Sequence, residues 1–215
     1  MNKAAVSSEM AAFLQKGRTC VIQIRMAGTA DVAGILDIYR PYIENTAITF
    51  EYDVPSEADF LQRFRDITSR GPWLVAEEAG QLLGYAYLDR AFVRAAYAWA
   101  ADLSVYLRPE ARGRGLGRAF YTLLERMAAL QGYQVLYGLV TTDNDASCRF
   151  HEAMGYRLLC CMPDCGFKLG RWHGVNWYEK RLCPPTAPAA MPTPAPEMDW
   201  SSVDGSGLEQ WEVCL

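Results

Sequence analysis

Residues 112–117 read Arg112-Gly113-Arg114-Gly115-Leu116-Gly117 and join a strand-like stretch, 103–107, to a helix-like stretch, 118–131. Glycine has no Cβ, so three alternating glycines let backbone N–H groups come close to a ligand. A helix that begins at such a loop also directs its first unpaired N–H groups and the positive end of its dipole there. The two arginines add donors for phosphate oxygens. The segment therefore predicts an anion site, most often one for a pyrophosphate.

The composition is that of one ordinary globular domain. The 215 residues are enough for a single full core, and 51% of them are apolar. No apolar run approaches the roughly 18 residues that a membrane span requires, and the N-terminus lacks the pattern of a secretory signal. The net charge is −4, and the arginines concentrate at the glycine loop instead of forming a broad basic face. We therefore expect a cytoplasmic protein that contacts neither membrane nor nucleic acid.

The seven cysteines are odd in number and irregularly spaced. A structural zinc site pairs its ligands at regular spacing, and a disulfide framework needs a secretory context. The group at 160, 161 and 165 lacks a second pair of ligands, so we expect no metal and interpret the cysteines as reduced, mostly buried thiols. They are Cys20, Cys148, Cys160, Cys161, Cys165, Cys183 and Cys214.

The pattern of apolar residues, caps and turns predicts an α/β domain. Helices are expected after Thr29 or Asp31 with an interruption at Pro41, after Ser56, at 118–131 before Gly132, and from Asp143 or Asn144 to Gly155. Strands are expected at 20–26, 73–77, 81–88 (a hairpin turning at Ala79-Gly80), 97–107, 135–140, 156–162 and 175–182. The Pro-, Ala- and Thr-rich composition from Pro184 onward predicts a disordered tail. We therefore divide the chain into an N-terminal extension at 1–20, a domain at 21–183 and a tail at 184–215.

Two motifs, the glycine loop at 112–117 and the helix that follows Asn144, resemble motifs of the GNAT acetyltransferase family and occur in the same order. The loop pattern of that family is Arg or Gln, two residues, Gly, one residue, then Gly or Ala, and Arg112, Gly115 and Gly117 match it. Its second signature is similar to the helix that Asn144 opens and that runs through His151-Glu152-Ala153 to Gly155-Tyr156. One glycine-rich loop is a weak signal, but both motifs in order are specific. The resemblance implies the GNAT fold, in which a mixed central sheet with flanking helices is splayed at the acyl-CoA site.

From about Ile24 to Leu182 the chain is similar to the phosphinothricin N-acetyltransferase branch of that family. The resemblance implies an enzyme that transfers acetyl from acetyl-CoA to the amino group of a small amino-acid analogue, such as phosphinothricin, methionine sulfone or methionine sulfoximine. It also implies a homodimer, with the hairpin that carries Trp172 and His173 at the dimer contact or the substrate mouth, although packing alone would explain both residues. The similar segments are Glu44-Asn45-Thr46, Phe50, Pro72-Trp73-Leu74-Val75-Ala76-Glu77, Tyr97 with Trp99, His151-Glu152-Ala153 and Trp172-His173.

The resemblance also implies where acetyl-CoA, the co-substrate, would bind. The coenzyme pyrophosphate is expected on the loop, and the pantetheine arm alongside the preceding strand, as another strand would lie on a sheet edge. Asn144 is interpreted as a helix cap that also touches the arm. The expected set is Ser104, Val105, Tyr106, Arg112, Gly113, Arg114, Gly115, Leu116, Gly117 and Asn144.

Asp102 and His151 are the candidate catalytic residues. Asp102 occupies the place where this branch ordinarily has Glu. The resemblance therefore implies that Asp102 is the base for the acceptor ammonium. An exposed Asp has a pKa near 3.9 and is a poor base unless burial raises its pKa or a water relays the proton. We therefore expect Asp102 to act through water or to orient the ammonium; the alternative is an ordinary carboxylate at a sheet end. His151 occupies the place where many GNAT proteins have a tyrosine that protonates the departing thiolate, and histidine titrates near neutral pH. Its alternative is a histidine hydrogen-bonded within the helix packing.

Acceptor binding is predicted for Phe50, Arg94 and Tyr97. Arg94 is of the right type to pair with an amino-acid carboxylate, or it is a solvated loop charge. Phe50 would cover the acceptor side chain, although aromatic residues such as Phe50, Tyr97 and Trp99 more often fill a core.

Two other hypotheses stay open on the sequence. The acceptor would instead be a polyamine, an aminoglycoside or a protein amine, for which an acidic cleft is expected. In the other hypothesis the protein is a non-catalytic acyl-CoA-binding sensor, which Asp102 in place of Glu favours.

Overall fold

A computed structural model describes residues 22–184, 187 and 190–203. The predicted extension at 1–20 and the last part of the tail, 204–215, lie outside the described residues. The helices are α1 (Val32–Asn45), α2 (Glu57–Thr68), α3 (Leu116–Gln131) and α4 (Asp145–Ala153). The strands are β1 (Gln23–Met26), β2 (Trp73–Glu78), β3 (Gln81–Arg90), β4 (Ala100–Leu107), β5 (Val135–Thr141), β6 (Arg157–Lys168) and β7 (Arg171–Arg181).

Within the described residues, these strands form one sheet in the order β1-β2-β3-β4-β5-β7-β6. Neighbouring strands are antiparallel except β4 and β5, which are parallel. A core covers each face, because successive side chains of a strand point to opposite sides. Trp73 and Val75 of β2 join the cluster under α1 and α2, whereas Leu74 and Ala76 join the cluster under α3. The mixed α/β sheet with flanking helices is confirmed.

The local capping and turn signals are confirmed. Ser56 precedes α2 and accepts a backbone N–H of its first turn at 3.2 Å. Gly132 adopts a φ of +97° at the end of α3, and Gly155 adopts +84° after α4. Ala79 and Gly80 both have positive φ, which is the conformation that a two-residue hairpin turn requires.

The bounds of several elements differ from the sequence-based prediction. β4 begins at Ala100, because Ala95–Tyr97 form a short 3-10 turn. The last two strands extend to a tight turn at Leu169-Gly170, where both residues have positive φ. Helix α1 continues through Pro41, because the backbone hydrogen bond that proline removes is outweighed by four buried neighbours: Ile38, Tyr39, Tyr42 and Ile43.

Residues 190–203 pack on the domain, so the prediction of a disordered tail is wrong for them. The Thr193 N–H donates to the Gln131 carbonyl at 2.8 Å, and Gln131 Nε2 donates back to the Thr193 carbonyl at 2.8 Å. The Ala195 N–H donates to the Arg70 carbonyl at 2.9 Å, and Val203 is fully buried in the core cluster under α3. Composition missed this because the segment has no core of its own and is ordered by a surface that distant residues provide.

Removal of this segment is expected to destabilise the domain. A chain that ends at Ala189 should unfold with a free energy lower by about 3 kcal/mol or more than a chain that ends at Asp204, since a fully buried apolar side chain contributes about 1.5–3 kcal/mol. The shorter chain loses Val203 and also Trp200, which packs against the same cluster. Urea unfolding of the two truncated proteins measures the difference, and equal midpoints would contradict the packing.

Candidate active site

A groove opens where β4 and β5 separate. The two strands pair only from Ala100 to Asp102 on β4 and from Val135 to Tyr137 on β5. Beyond that point they share no register, and between them lies a cavity of about 540 Å³ that continues to the glycine loop and the start of α4. The predicted splay is therefore present. The predicted coenzyme-binding residues that line the cavity are Ser104, Val105, Tyr106, Arg112, Gly113, Gly115, Gly117 and Asn144, and the predicted catalytic residue His151 lines it as well.

The glycine loop has the backbone conformation that its sequence predicts. Gly113 and Gly115 have φ values of +75° and +80°, which residues with a Cβ rarely adopt. Gly115 is the N-cap of α3 and supplies no capping side chain. The N–H groups of the first turn of α3 are therefore available to a ligand, and the helix dipole favours an anion at this end.

The two loop arginines differ in their surroundings. Arg112 lines the groove, donates to the Tyr42 hydroxyl at 3.0 Å and lies over the Tyr42 ring at 5.5 Å. Arg114 instead donates to both carboxylate oxygens of Glu78, at 2.7 and 3.0 Å. Leu116 is buried in the core under α3. The Arg114 and Leu116 side chains are therefore engaged by Glu78 and by the core, while their backbone groups stay in the loop, so their part in binding the ligand stays a prediction.

A buried hydroxyl at the far wall also favours a ligand. Thr141 lines the groove at the end of β5, and its Oγ1 is buried without a hydrogen-bond partner among the described residues. A buried polar group left unpaired costs about 1–3 kcal/mol. A polar atom of a bound ligand would satisfy it.

Asp102 lies at the point where β4 and β5 part. It is the last β4 residue paired with β5, opposite Tyr137, and its partner on β3 is Asp89. Burial, followed by the negative charge of Asp89, raises the pKa of the Asp102 carboxyl to about 7. A carboxyl that titrates near neutral pH is able to accept a proton directly, which an exposed Asp does poorly. Burial therefore answers the objection that an aspartate is too weak a base.

His151 is buried within the packing of α4. Its Nδ1 donates to the Ser147 carbonyl at 2.8 Å, which leaves Nε2 to accept from the Tyr121 hydroxyl at 2.9 Å. Burial lowers the pKa of His151 below its ordinary value, so the ring is neutral at neutral pH. These contacts match the packing alternative, although the ring also lines the groove. The catalytic role of His151 stays a prediction.

The predicted acceptor residues lie at two places. Tyr97 belongs to an aromatic cluster that reaches Tyr137, the β5 partner of Asp102; it contacts Phe92, which stacks on Trp177. Arg94 is exposed on the same β3–β4 loop. Phe50 instead lies between α1 and α2, with its ring packed so closely on Gly166 of β6 that no side chain would fit there. Among the described residues Phe50 and Tyr97 make no ring contact.

Sequence reasoning missed Lys168, which joins the α1–α2 connection to the β6–β7 hairpin. The Lys168 ammonium is buried and donates to the Thr49 carbonyl at 2.7 Å, and burial lowers its pKa. His173 is also buried, with Nε2 3.0 Å from the Lys168 carbonyl and Nδ1 3.1 Å from the Asp143 carboxylate. A lysine beside a turn gives no sequence signal of burial, because the covering surface comes from residues more than 100 positions away.

The cysteine prediction needs correction. Cys160, Cys161 and Cys165 are exposed, because β6 is an edge strand that no helix covers fully. In the part of the chain that the structure describes, no group of three or more His, Cys, Asp or Glu side chains is arranged to hold a metal ion. No described helix has both the length and the apolar character of a membrane span.

Comparison with known proteins agrees with this architecture. Residues 24–177 match the family described as acetyltransferase (GNAT) domain. The chain is 32% identical over 167 residues to phosphinothricin N-acetyltransferase of Streptomyces viridochromogenes, which covers 78% of this chain and 91% of that protein. It is also 34% identical over 164 residues to L-methionine sulfoximine/L-methionine sulfone acetyltransferase of Pseudomonas aeruginosa. That match covers 75% of this chain and 95% of the Pseudomonas protein.

A solved structure extends the similarity to three dimensions. The phosphinothricin acetyltransferase of Sinorhizobium meliloti, crystallised in complex with acetyl-CoA, superposes with a TM-score of 0.77. It is 34% identical in sequence, and the match covers 81% of this chain and 96% of that one. The family match spans most of the chain, and the fold, glycine loop and splayed strands accompany it. This protein belongs to the GNAT acetyltransferase family.

Proposed function

We propose that this protein transfers the acetyl group of acetyl-CoA to the amino group of a small amino-acid analogue of the phosphinothricin, methionine sulfone or methionine sulfoximine type. The position of Asp102 carries the proposal: it is the last β4 residue to pair with β5, it directly precedes Leu103, which lines the groove, and its carboxyl has a pKa of about 7. A group that titrates near neutral pH at the end of a ligand groove is suited to general base catalysis. The two acetyltransferase relatives, at 32% and 34% identity, support this acceptor class.

The groove suits acetyl-CoA. The loop offers backbone N–H groups and the Arg112 side chain to a diphosphate. The β4 edge at Ser104, Val105 and Tyr106 is not paired with β5, so its outward backbone groups are available to an extended pantetheine arm. Asn144 caps α4 by accepting the Ser147 N–H at 3.2 Å and faces the same groove.

In the proposed reaction Asp102 accepts a proton from the acceptor ammonium, directly or through one water. The resulting amine attacks the thioester carbonyl, so that a C–N bond forms and the C–S bond breaks. The products are an N-acetylated acceptor and CoA, whose thiolate takes up one proton. Binding both substrates at one groove makes the attack effectively intramolecular.

His151 enters the proposal through Tyr121. Its Nε2 accepts the Tyr121 hydroxyl, and both side chains line the groove. When charge develops on the departing sulfur, that hydroxyl can turn from Nε2 and donate to it. His151 then acts by holding the hydroxyl in place, because its lowered pKa leaves little imidazolium to donate a proton.

For the acceptor, we propose that Arg94 pairs with the carboxylate and that Tyr97 lines the side-chain site, while Phe50 would contribute from its separate position between α1 and α2. The aromatic cluster of Phe92, Tyr97, Tyr137 and Trp177 supports this, since it lies beside the strand residue that pairs with Asp102.

The proposal includes a homodimer in the cytoplasm, where acetyl-CoA is available. The edge strand β6 and its hairpin leave large apolar side chains between 42% and 59% exposed, which is typical of a covered surface in an oligomer. These are Leu158, Leu159, Met162, Phe167, Leu169 and Trp172.

The proposal is tested by thiol release from acetyl-CoA with five acceptors: phosphinothricin, methionine sulfone, methionine sulfoximine, spermidine and a lysine peptide. Turnover is expected with one or more of the three amino-acid analogues, and the Asp102→Asn protein supplies the background rate. Turnover of spermidine or the peptide alone would show that the acceptor is a polyamine or a protein amine and not a small amino-acid analogue. Binding of acetyl-CoA without turnover of any amine would favour a sensor.

A further inference from the structure

Two acidic residues face each other across the β3–β4 pair. Asp89 and Asp102 are direct register partners, so their side chains point to the same face of the sheet. Side chains directly opposite in an antiparallel pair have Cβ atoms about 4.5–5.5 Å apart. Two carboxylates at that spacing repel each other, so the charge on Asp89 disfavours ionisation of Asp102.

Arg70 forms an ion pair with Asp89. Its Nη2 and Nε donate to Asp89 Oδ1 at 2.9 and 3.2 Å, and both side chains are less than one third exposed. The same oxygen accepts the Arg90 N–H at 2.8 Å. The Arg70 backbone is fixed as well, because its carbonyl accepts Gln131 Nε2 at 2.7 Å and the Ala195 N–H at 2.9 Å. The pair is therefore well ordered beside Asp102.

The other titratable and charged groups around Asp102 do not compete with this pair. Tyr87 from β3, Tyr121 from α3 and Tyr137 from β5 all have raised pKa values, so their hydroxyls are neutral at neutral pH. The charge of Arg63 from α2 affects the pKa of Tyr87, but its guanidinium forms an ion pair with Glu51, donating at 2.6 Å. No basic side chain within the described residues forms an ion pair with Asp102.

We propose that the Arg70–Asp89 pair sets the pH at which Asp102 becomes able to deprotonate the acceptor amine. The inference rests on the proposed function, in which Asp102 is the base. Asp89 and Arg70 are positioning residues, since they act on the acceptor only through Asp102. Asp89 raises the proton affinity of Asp102, and Arg70 limits that effect by neutralising Asp89.

The two substitutions should act in opposite directions. Asp89→Asn removes the negative charge and should move the acidic limb of the pH profile of kcat/KM down by about one unit. Arg70→Gln leaves Asp89 unpaired and should move the same limb up by about half a unit to one unit. Arg70→Gln keeps the backbone carbonyl that residues 190–203 bind, so the fold is retained. A purely structural role would lower the rate and leave the limb where it is.

The experiment combines the pH profile with a ¹³C titration of the Asp102 carboxyl by NMR, in the full chain. The control is Glu44→Gln, which removes one negative charge from an exposed site on α1 and should shift neither readout. Opposite shifts of the Asp102 titration in the Asp89 and Arg70 variants support the inference. An Asp102 titration that is unchanged in both variants overturns it, whatever the turnover. Absence of turnover in the unmodified protein would refute the proposed function alone, because the titration is read without substrate.

Discussion

Asp102→Asn is expected to lower kcat/KM by about 10²- to 10⁴-fold, the usual contribution of a general base, while making the protein more stable at pH 8. The loss of rate follows because an amide does not accept the ammonium proton. The gain in stability follows from linkage between ionisation and folding, because Asp102 has a pKa of about 7 in the folded chain, raised from 3.8. Between these values the folded state binds more protons than the unfolded state, so the free energy of unfolding falls as pH rises through this window.

The pH dependence gives this prediction a sign that can be checked. At pH 8 Asp102 is ionised against its surroundings, and the amide removes that unfavourable charge, so the melting temperature should rise. Near pH 4 the folded state is protonated at this site and the unfolded state is partly protonated, so the difference should become small. Thermal unfolding at the two pH values and thiol release at pH 8 measure both effects.

Two control variants separate the base from a general charge effect. Asp37→Asn, at an exposed position of α1, should change neither turnover nor stability appreciably. Asp102→Glu keeps a carboxyl and should retain most of the activity. Full turnover by Asp102→Asn would assign the proton transfer to another group, and an unchanged melting temperature at pH 8 would contradict the raised pKa.

Gly115→Ala is expected to raise the KM for acetyl-CoA by about 10- to 100-fold. The N–H groups at the start of α3 are proposed to bind the diphosphate, and hydrogen bonds to charged groups contribute about 1.5–3 kcal/mol each. A Cβ at Gly115 meets no protein atom within 4 Å, and because Gly115 lines the groove, the added methyl group is expected to compete with the ligand. The left-handed φ of +80° also disfavours alanine by about 1–2 kcal/mol, which shifts the loop away from its binding geometry.

Gly80→Ala is the matched control for that substitution. Gly80 has a φ of +83° and equally open space for an added methyl group, but it lies in the β2–β3 turn, away from the groove. Both variants should therefore lose similar stability in urea unfolding, and only Gly115→Ala should lose affinity for acetyl-CoA in isothermal titration. Equal affinities for acetyl-CoA in the two variants would contradict the hypothesis that the loop binds the diphosphate.

Most predictions that depend on neighbouring residues in the chain agreed with the structure, although β4 begins at Ala100 because of the local turn at Ala95–Tyr97. The Ser56 cap, the Ala79-Gly80 turn and the stop at Gly132 are decided by backbone conformation within a few residues. The glycine loop is of this kind, because positive φ at Gly113 and Gly115 is a local property. The order of these elements was therefore sufficient for the fold class.

Predictions that depend on distant partners were those that needed correction. Both loop arginines were expected to offer their side chains to phosphate oxygens, but Glu78, 36 positions earlier, binds the Arg114 guanidinium. Residues 190–203 were assigned to a disordered tail, but Arg70 and Gln131 supply their backbone partners. In both cases the deciding contact joins residues that only the folded chain brings together.

The amino-acid sequence by itself determined the family and the glycine loop, because both are carried by residue type and local spacing, and the family resemblance then pointed to Asp102 as the candidate base. Only the tertiary structure decided that Asp102 has a pKa near neutrality, since that value comes from burial and from Asp89 on the adjacent strand. It also decided that His151 is neutral and bound to Tyr121, because burial and the partner of Nε2 are set by packing. Proton affinity depends on the water and charge around a group, and the fold assembles both from distant parts of the chain.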